Sequence, residues 1–503
     1  MASNTTTSSR PALLAVASAS SVSRSSSPPA GIVVFSGGSA ANSLVDVFER
    51  LRDANETTLS YVIPISDNGG STSEIIRVFG GPGIGDVRSR LVRLMPENNV
   101  PETAAIKNLF NHRLARCYDA ARAEWFEMLD ATHALWTDIS SPKRELIRSY
   151  LNRFNLEVIK RMRPSSRFDF SRASIGNLFL TGARLFTGSF EAAVYLLGSL
   201  CAVPDHVAVL PAINTNFAHH IAAGLRDGTV ITGQNDISHP SSPTAAVPAA
   251  AASAASVSTR AARATTATHL LPVHGAAEDE HDQVEDANLP GSLPALRRPA
   301  IAFSKTPDRE EDLPSRIHRI WYINPYGHEI RIPANPRVLD ALHRAGTIVY
   351  SIGSLFTSLI PNLILRGVGD AIAGPGIRHK ILLLNGTTDR ETGPSDDAMT
   401  ALDFVAAIAG ACADSRGRPT PGEHEYGLYV THVVHLGGAT SPRVDKARFA
   451  ELGIDTVRLY GPWRDGCGRG GTYDGTALRQ TLETIVGRKG GRGDRSRRNT
   501  LVG

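Results

Sequence analysis

Two carboxylates (Asp67 and Asp86), three arginines (Arg88, Arg90 and Arg93) and a series of glycines fall within one block, ISDNGGSTSEIIRVFGGPGIGDVRSRLVRLMP, Ile65 to Pro96. Glycine lets a backbone approach a ligand closely, carboxylates hold a cation, and guanidinium groups hold phosphate. Placed directly after the apolar run YVIPI, this inventory suggests a site for a nucleotide or a phosphorylated substrate. Asp67 suits a ribose hydroxyl, Mg2+ or a polar substrate; it equally suits capping the turn Asn68-Gly69-Gly70-Ser71 that follows. Asp86 directly precedes VRSRLVRLM, where the competing role is a helix N-cap.

Two further glycine turns have the same character. Ser36, Gly37, Gly38 and Ser39 follow the apolar run IVVF and lead into a helical pattern, so amides at the helix start point at whatever binds there. The full dinucleotide fingerprint is missing, because Ala40 and Ala41 follow. GGPGIGDV has glycine spacing but no Lys-Ser/Thr, which argues against a P-loop ATPase. Gly353, Ser354 and Leu355 open GSLFTS after the strand-like TIVYS, and suit a second phosphate site. Asn177, an amide in an otherwise apolar helix, requires a partner from backbone or ligand. Asn214 and Asn216, after a strand, raise the same question. His432 and His435, three apart in one strand, face opposite sides and do not read as metal ligands.

The elements that must position these residues alternate. GIVVF, LSYVIPI, HVAVLPAI, TIVYSIGSL, KILLLN, THVVHLGG and DTVRLYGP read as short buried strands, separated by helical patterns. This predicts an α/β fold, a doubly wound, mostly parallel Rossmann-like sheet with right-handed crossovers. Asp227-Gly228 reads as a hairpin turn. The domain is expected over 31–488. Within it a strand-free segment, 101–165, forms a helical cap, and an Ala/Ser/Thr/Pro-rich and then acidic stretch, 239–314, is a disordered insertion. Residues 1–30 read as a disordered leader, with a mitochondrial transit peptide as the alternative, and 489–503 as a basic disordered tail.

Composition narrows the class. With 42% hydrophobic and 20% charged residues the chain is globular, and a net charge of +4 without basic-aromatic patterning argues against nucleic acid as partner. The apolar runs fall short of the ~20 residues of a membrane helix, so no membrane is expected. Four scattered cysteines without a CxxC point to a reducing, cytoplasmic setting and away from zinc.

Taken in order, GIVVFSGGSAANSL, ISDNGGSTSEIIR, PGIGDVRSRLVRL, SIGNLFL, DGTVITGQNDIS, INP, IVYSIGSLFTSLIPNLILRGVGDAI and ILLLNGTT resemble the 2-phospho-L-lactate transferase (CofD-like) family, and more closely its gluconeogenesis-factor (YvcK-like) branch. The resemblance covers most of Gly31 to Ala413. It implies a nucleotide-diphosphate-linked ligand or nucleotide sugar, and in the transferase branch Mg2+ and movement of a phospho-group. It makes Gly37, Gly38 and Ser39 nucleotide contacts, Asp67 the catalytic, metal- or acceptor-facing acid, and Asn177, Gly353, Ser354 and Leu355 the lining of the site. Where the family often has Asp-Asp-Gly-Gly-Ser, this chain has Asp67-Asn68-Gly69-Gly70-Ser71, with one carboxylate fewer. Three functions stay open: a transferase, a non-catalytic nucleotide-sugar sensor and, least supported, a Rossmann oxidoreductase. The expected partner is a small nucleotide-linked molecule. Self-association into a homo-oligomer is compatible with the sequence, which does not specify it.

Overall fold

The computed structural model describes residues 30–38, 40–66, 69–97, 100–163, 167–238, 247–248, 293, 296, 312–438, 440–461 and 471–487. Their strands, in chain order, are β1 (Gly31–Phe35), β2 (Leu59–Ile63), β3 (Val207–Pro211), β4 (His220–Leu225), β5 (Thr229–Thr232), β6 (Val247–Pro248), β7 (Ile317–Ile323), β8 (Glu329–Ile330), β9 (Ala345–Tyr350), β10 (His379–Leu383), β11 (His432–Leu436) and β12 (Asp455–Leu459). Seven of them form one sheet in the order β12-β11-β10-β9-β1-β2-β3, with every neighbouring pair parallel. The doubly wound α/β fold expected from the apolar runs is therefore present. β1 is buried along its whole length, as a strand covered by helices on both faces must be.

The order places β1 at the point where the winding reverses. The chain leaves β1 for β2 on one side and returns, much later, to lay β9 on the other. Phe35 lies opposite Tyr350 in that pairing, and their rings stack with centroids 5.8 Å apart. In such sheets the crevice beyond the carboxyl ends of the two strands flanking the reversal is where ligands bind.

The hairpin at Asp227-Gly228 is also present, with Gly228 at φ +88°. It belongs to a second, antiparallel sheet, β6-β5-β4-β7-β8, which the sequence reading did not foresee. β4 and β7 pair across the stretch read as an insertion, so long-range pairing rather than local pattern creates this sheet. Most of 239–314 lies outside the described residues; within it 247–248, 293, 296 and 312–314 are described. Val247–Pro248 pairs with β5, the Leu293 amide donates to the Pro325 carbonyl at 2.8 Å, and Leu313 is buried in the core. Of the expected leader 1–30 only Ala30 is among the described residues, and the expected tail 489–503 lies outside them.

Within the stretch 101–163 the chain forms the helices Pro101–Asn111, Tyr118–Asp130 and Ser141–Arg161; residues 164 and 165 of the expected cap lie outside the described residues. Helix Ser141–Arg161 crosses helix Ile175–Thr187 so closely that a Cβ on Gly182 would lie 2.0 Å from the Tyr150 carbonyl oxygen, which explains the small residue there. The two stems of this cap are zipped together. Leu114 donates to Ala173 and Arg172 to Ala115, each at 2.9 Å, around a bridge between Arg113 and Ser174. Among the described residues no helix is long and apolar enough to cross a membrane, and Cys117, Cys201 and Cys412 are free thiols.

Candidate ligand site at the switch point

A cavity of about 580 Å³ opens at the carboxyl ends of β1 and β9. Gly37, Gly38, Gly69, Gly70, Ser71, Asp86, Arg88, Asn177, Gly353 and Ser354 line it, so three turns far apart in sequence meet in one place. Gly70 has φ +60° and Gly353 φ +141°, backbone conformations that side chains rarely adopt. Asp67, Asn68 and Ser39, expected at the site, lie outside the described residues.

Two expected residues are placed elsewhere. Ser36 is fully buried beneath the first turn; its hydroxyl accepts from Arg90 Nη2 at 3.2 Å, and the same Nη2 donates to the Gly37 carbonyl at 3.1 Å. Leu355 packs into the apolar core, where its side chain gains more than at a polar wall. Arg90 itself is 0% exposed, lies 4.4 Å over the Tyr61 ring and makes no ion pair with a carboxylate among the described residues. Burial is the first cause that lowers its pKa. A buried cation directly behind a glycine turn favours an anion in front of it.

Asp86 does not fill the competing role of helix N-cap. It is the second residue of helix Gly85–Arg93, whose cap position is Ile84. Its carboxylate instead overhangs the first turn: a Cβ on Gly38 would lie 2.3 Å from Oδ1, and one on Gly37 would lie 3.2 Å from Oδ2. Arg88, on the same helix, is buried and donates from Nε to Asn177 Oδ1 at 3.1 Å and from Nη1 to Asn111 Oδ1 at 3.2 Å. Asn177 passes the contact on, donating to Ser71 Oγ at 3.3 Å. Its partners are thus side chains of the protein, and it ties two walls of the cavity together. Burial, and then the charge of Arg113, pulls the Arg88 pKa down to about 10.

Sequence reasoning missed Arg113 and Arg172, which line the same cavity. They stand at the two stems of the helical cap, and Arg113 Nη1 donates to the Arg172 carbonyl at 3.3 Å. Burial and the neighbouring Arg172 charge lower the Arg113 pKa. Among the described residues none of Arg88, Arg113 and Arg172 is ion-paired with a carboxylate. No local pattern marks these arginines, because the stems meet only through tertiary pairing. Thr72, Ser89, Gln234, Asn235, Ser238, Thr357 and Ser358 add hydroxyls and amides to the wall. Thr357 and Ser358 were legible as the hydroxyls of GSLFTS. Asn214 and Asn216 bond to Glu191, Phe190 and Gly188 instead and take no part in the cavity.

A second wall rests on a buried acid. Glu391 is 1% exposed; Oε2 accepts from the Phe356 and Thr357 amides at 2.9 and 3.0 Å, and Oε1 lies 2.5 Å from Thr357 Oγ1. Burial, and then the charge of Asp389, pushes its pKa up from 4.5 to about 8. The folded protein then keeps a proton that the unfolded chain releases above about pH 4.5. Stability therefore falls as pH rises from about 4.5 to about 8. Glu391→Gln, which mimics the protonated acid, is expected to flatten that decline by about 1 kcal/mol or more. Urea unfolding midpoints of both proteins at both ends of the window check this; parallel pH profiles would refute it.

His112, Glu124 and His133 form the one group of metal-ligating side chains found together among the described residues, in the helical cap. His133 Nδ1 accepts from the Leu135 amide at 3.2 Å, which puts the ring proton on Nε2 and turns it towards Glu124, 3.6 Å away. With His112 Nε2 at 2.6 Å from the same oxygen, the group is a hydrogen-bonded cluster around a carboxylate.

Comparison with known proteins agrees with this architecture. The family model described as 2-phospho-L-lactate transferase CofD matches residues 32–455. An uncharacterized protein of Saccharomyces cerevisiae is 40% identical over 407 residues, which are 80% of this chain and 89% of that one. A Thermotoga maritima protein carrying the provisional name gluconeogenesis factor is 51% identical over 41 residues, only 8% of this chain and 13% of that protein. Among solved structures, a member of the UPF0052 family from Bacillus halodurans superposes with TM-score 0.50 at 18% identity, covering 91% of this chain and 99% of its own, a likeness of fold. With the family model spanning all three glycine turns and the parallel sheet from the second residue of β1 to the first residue of β12, the chain belongs to the CofD, or 2-phospho-L-lactate transferase, family.

Proposed function

We propose that the chain binds a nucleotide-diphosphate-linked ligand in the switch-point cavity and transfers a phospho-group from it to an acceptor hydroxyl. The observation that carries this reading is the meeting of the Gly37-Gly38 and Gly353-Ser354 turns on one cavity whose buried arginine, Arg88, has no carboxylate ion-pair partner among the described residues. Backbone amides and a guanidinium are the donors that a diphosphate needs, and they are in place before it arrives. In the transfer, the acceptor oxygen forms a bond to the distal phosphorus, and the bond from that phosphorus to the bridging oxygen breaks. The nucleoside monophosphate leaves, and the acceptor proton goes to a base or to water. Arg88, Arg113 and Arg172 suit the charge that grows on the phosphoryl oxygens.

The cavity also fits a hard cation. Asp86 overhangs the first turn, and Ser71, Thr72, Ser354 and Ser358 add oxygen donors, the ligand type that Mg2+ takes. Such an ion would share the diphosphate charge with Asp86. Asp67, at the following turn, is the second acid proposed to hold it. The replacement of an acid by Asn68 favours a second reading, a nucleotide-sugar-binding regulator that does not turn over.

Guanosine diphosphate and uridine diphosphate, each with and without Mg2+, test the binding step by thermal shift. A ligand at ~100 times its dissociation constant adds ~2.7 kcal/mol of stability. A shift with neither nucleotide, under either condition, would defeat the proposal; a shift without release of monophosphate from any linked donor would favour the regulator.

A further inference from the structure

The turn after β10, residues 385–392, lines no part of the cavity, yet it grips two of its walls. Asn385 pairs with Gly353 twice: the Gly353 amide donates to Oδ1 at 3.0 Å, and Nδ2 donates to the Gly353 carbonyl at 2.8 Å. Glu391 takes up the amides of Phe356 and Thr357 in the next turn of the same wall. Between them, Arg390, 4% exposed, donates from Nε to the Ile237 carbonyl at 3.2 Å. Ile237 belongs to the short helix Gln234–Ser238, whose Gln234, Asn235 and Ser238 face the cavity.

The two walls come from different sheets. Gly353 to Ser358 continues β9 of the parallel sheet, and Gln234–Ser238 continues β5 of the antiparallel one. Their spacing is thus a tertiary quantity, and residues 385–392 bond to both. A peptide at φ +141° relaxes readily unless something holds it, and the paired amide of Asn385 holds both sides of Gly353. The buried Glu391 carboxyl accepts two amides that would otherwise lack an acceptor in the core, a loss that costs about 1–3 kcal/mol for each group.

We propose that Asn385, Arg390 and Glu391 are positioning residues: they form a bracket that sets the Gly353–Ser358 turn and the Gln234–Ser238 helix at the spacing a diphosphate-bearing ligand requires. The ligand class rests on the proposed function; the bracket rests on the contacts.

Amide hydrogen exchange on the full chain tests the bracket without any ligand. Asn385→Ala and Glu391→Ala are each expected to speed exchange about tenfold at residues 353–358 and 234–238 while β1 and β2 keep wild-type protection. Glu391→Gln, which retains an acceptor, restores it. Asn385→Ala keeps the experiment decisive if Glu391→Ala fails to fold. A uniform rise, or no rise at 234–238, would overturn the bracket. Calorimetric titration with guanosine diphosphate and Mg2+ then tests the coupling. Asn385→Ala should bind about tenfold more weakly, with Glu391→Gln near wild type. Unchanged affinity in folded Asn385→Ala would overturn the positioning role. If the wild-type chain itself takes up no nucleotide, the transferase reading fails, and the exchange pattern alone decides the bracket.

Discussion

Gly38→Val should cost the protein both its ligand and a large part of its stability. The position is closed by the protein itself. A Cβ there would lie 2.3 Å from Asp86 Oδ1 and 2.8 Å from Asp86 Cα, and the second of these is backbone at the start of a helix. A rotamer change cannot relieve a clash with Cα, so helix Gly85–Arg93 must move. That helix carries Arg88 and Arg90, so its movement disturbs the cavity wall and the cation behind the first turn together. Overpacking of this kind costs about 1–3 kcal/mol. Gly38→Ala meets the same atoms and is no mild control. Gly37→Ala is milder, because its nearest neighbour is the end of a side chain, Ser358 Oγ at 2.6 Å. Urea unfolding of the three variants is the measurement. A Gly38→Val midpoint equal to wild type would show that the turn and the helix do not pack as described.

Arg88→Met should have the opposite signature, with the fold largely kept and ligand affinity lost. Methionine keeps much of the volume of the arginine stem, which packs against Gly176 with Cδ 2.7 Å from where a Cβ would lie. Removing the charge also removes a desolvation cost, the first cause that pulls the Arg88 pKa down to about 10. Against this, Asn177 Oδ1 and Asn111 Oδ1 lose their donors at 3.1 and 3.2 Å, which offsets that gain, so the net stability change should be small beside the loss of affinity. A charge-assisted contact to phosphate contributes about 1.5–3 kcal/mol, so affinity for the nucleotide should fall roughly 10- to 150-fold. Arg88→Lys should not restore it, because a compact ammonium cannot reach Asn177, Asn111 and a ligand at once. Titration calorimetry with guanosine diphosphate on the folded variants reads this out. Wild-type affinity in Arg88→Met would move the anion away from this end of the cavity.

The clash at Gly38 also shows how a correct residue can be read for an incomplete reason. Sequence pattern marked Gly38 as open to a ligand. The structure adds that Asp86 fills the space a side chain would take, and that the acid reaches over the turn rather than capping its own helix. Ser36 illustrates the reverse. A hydroxyl beside a glycine pair reads as a contact, but strand alternation carries it inward to Arg90.

Local order was legible in the sequence because burial leaves a local trace. Continuous apolar runs announced β1, β2, β9 and β10 as strands covered on both faces, helical periodicity announced the cap, and Asp227-Gly228 announced a hairpin. Glycines after three of those strands marked turns that now share one cavity. Tertiary structure alone decided which strands are neighbours. β9 lies beside β1 although Phe35 and Ala345 are far apart in the chain, and that pairing creates the reversal of winding where the cavity forms. It alone brought Arg113 to Arg172 across the helical cap, Glu391 beneath Thr357, and β4 against β7 to make a second sheet. The physical reason is the same in each case. Periodicity records which face of an element is buried, whereas the partner that buries it is chosen by long-range packing and hydrogen bonding, which leave no pattern in the residues between.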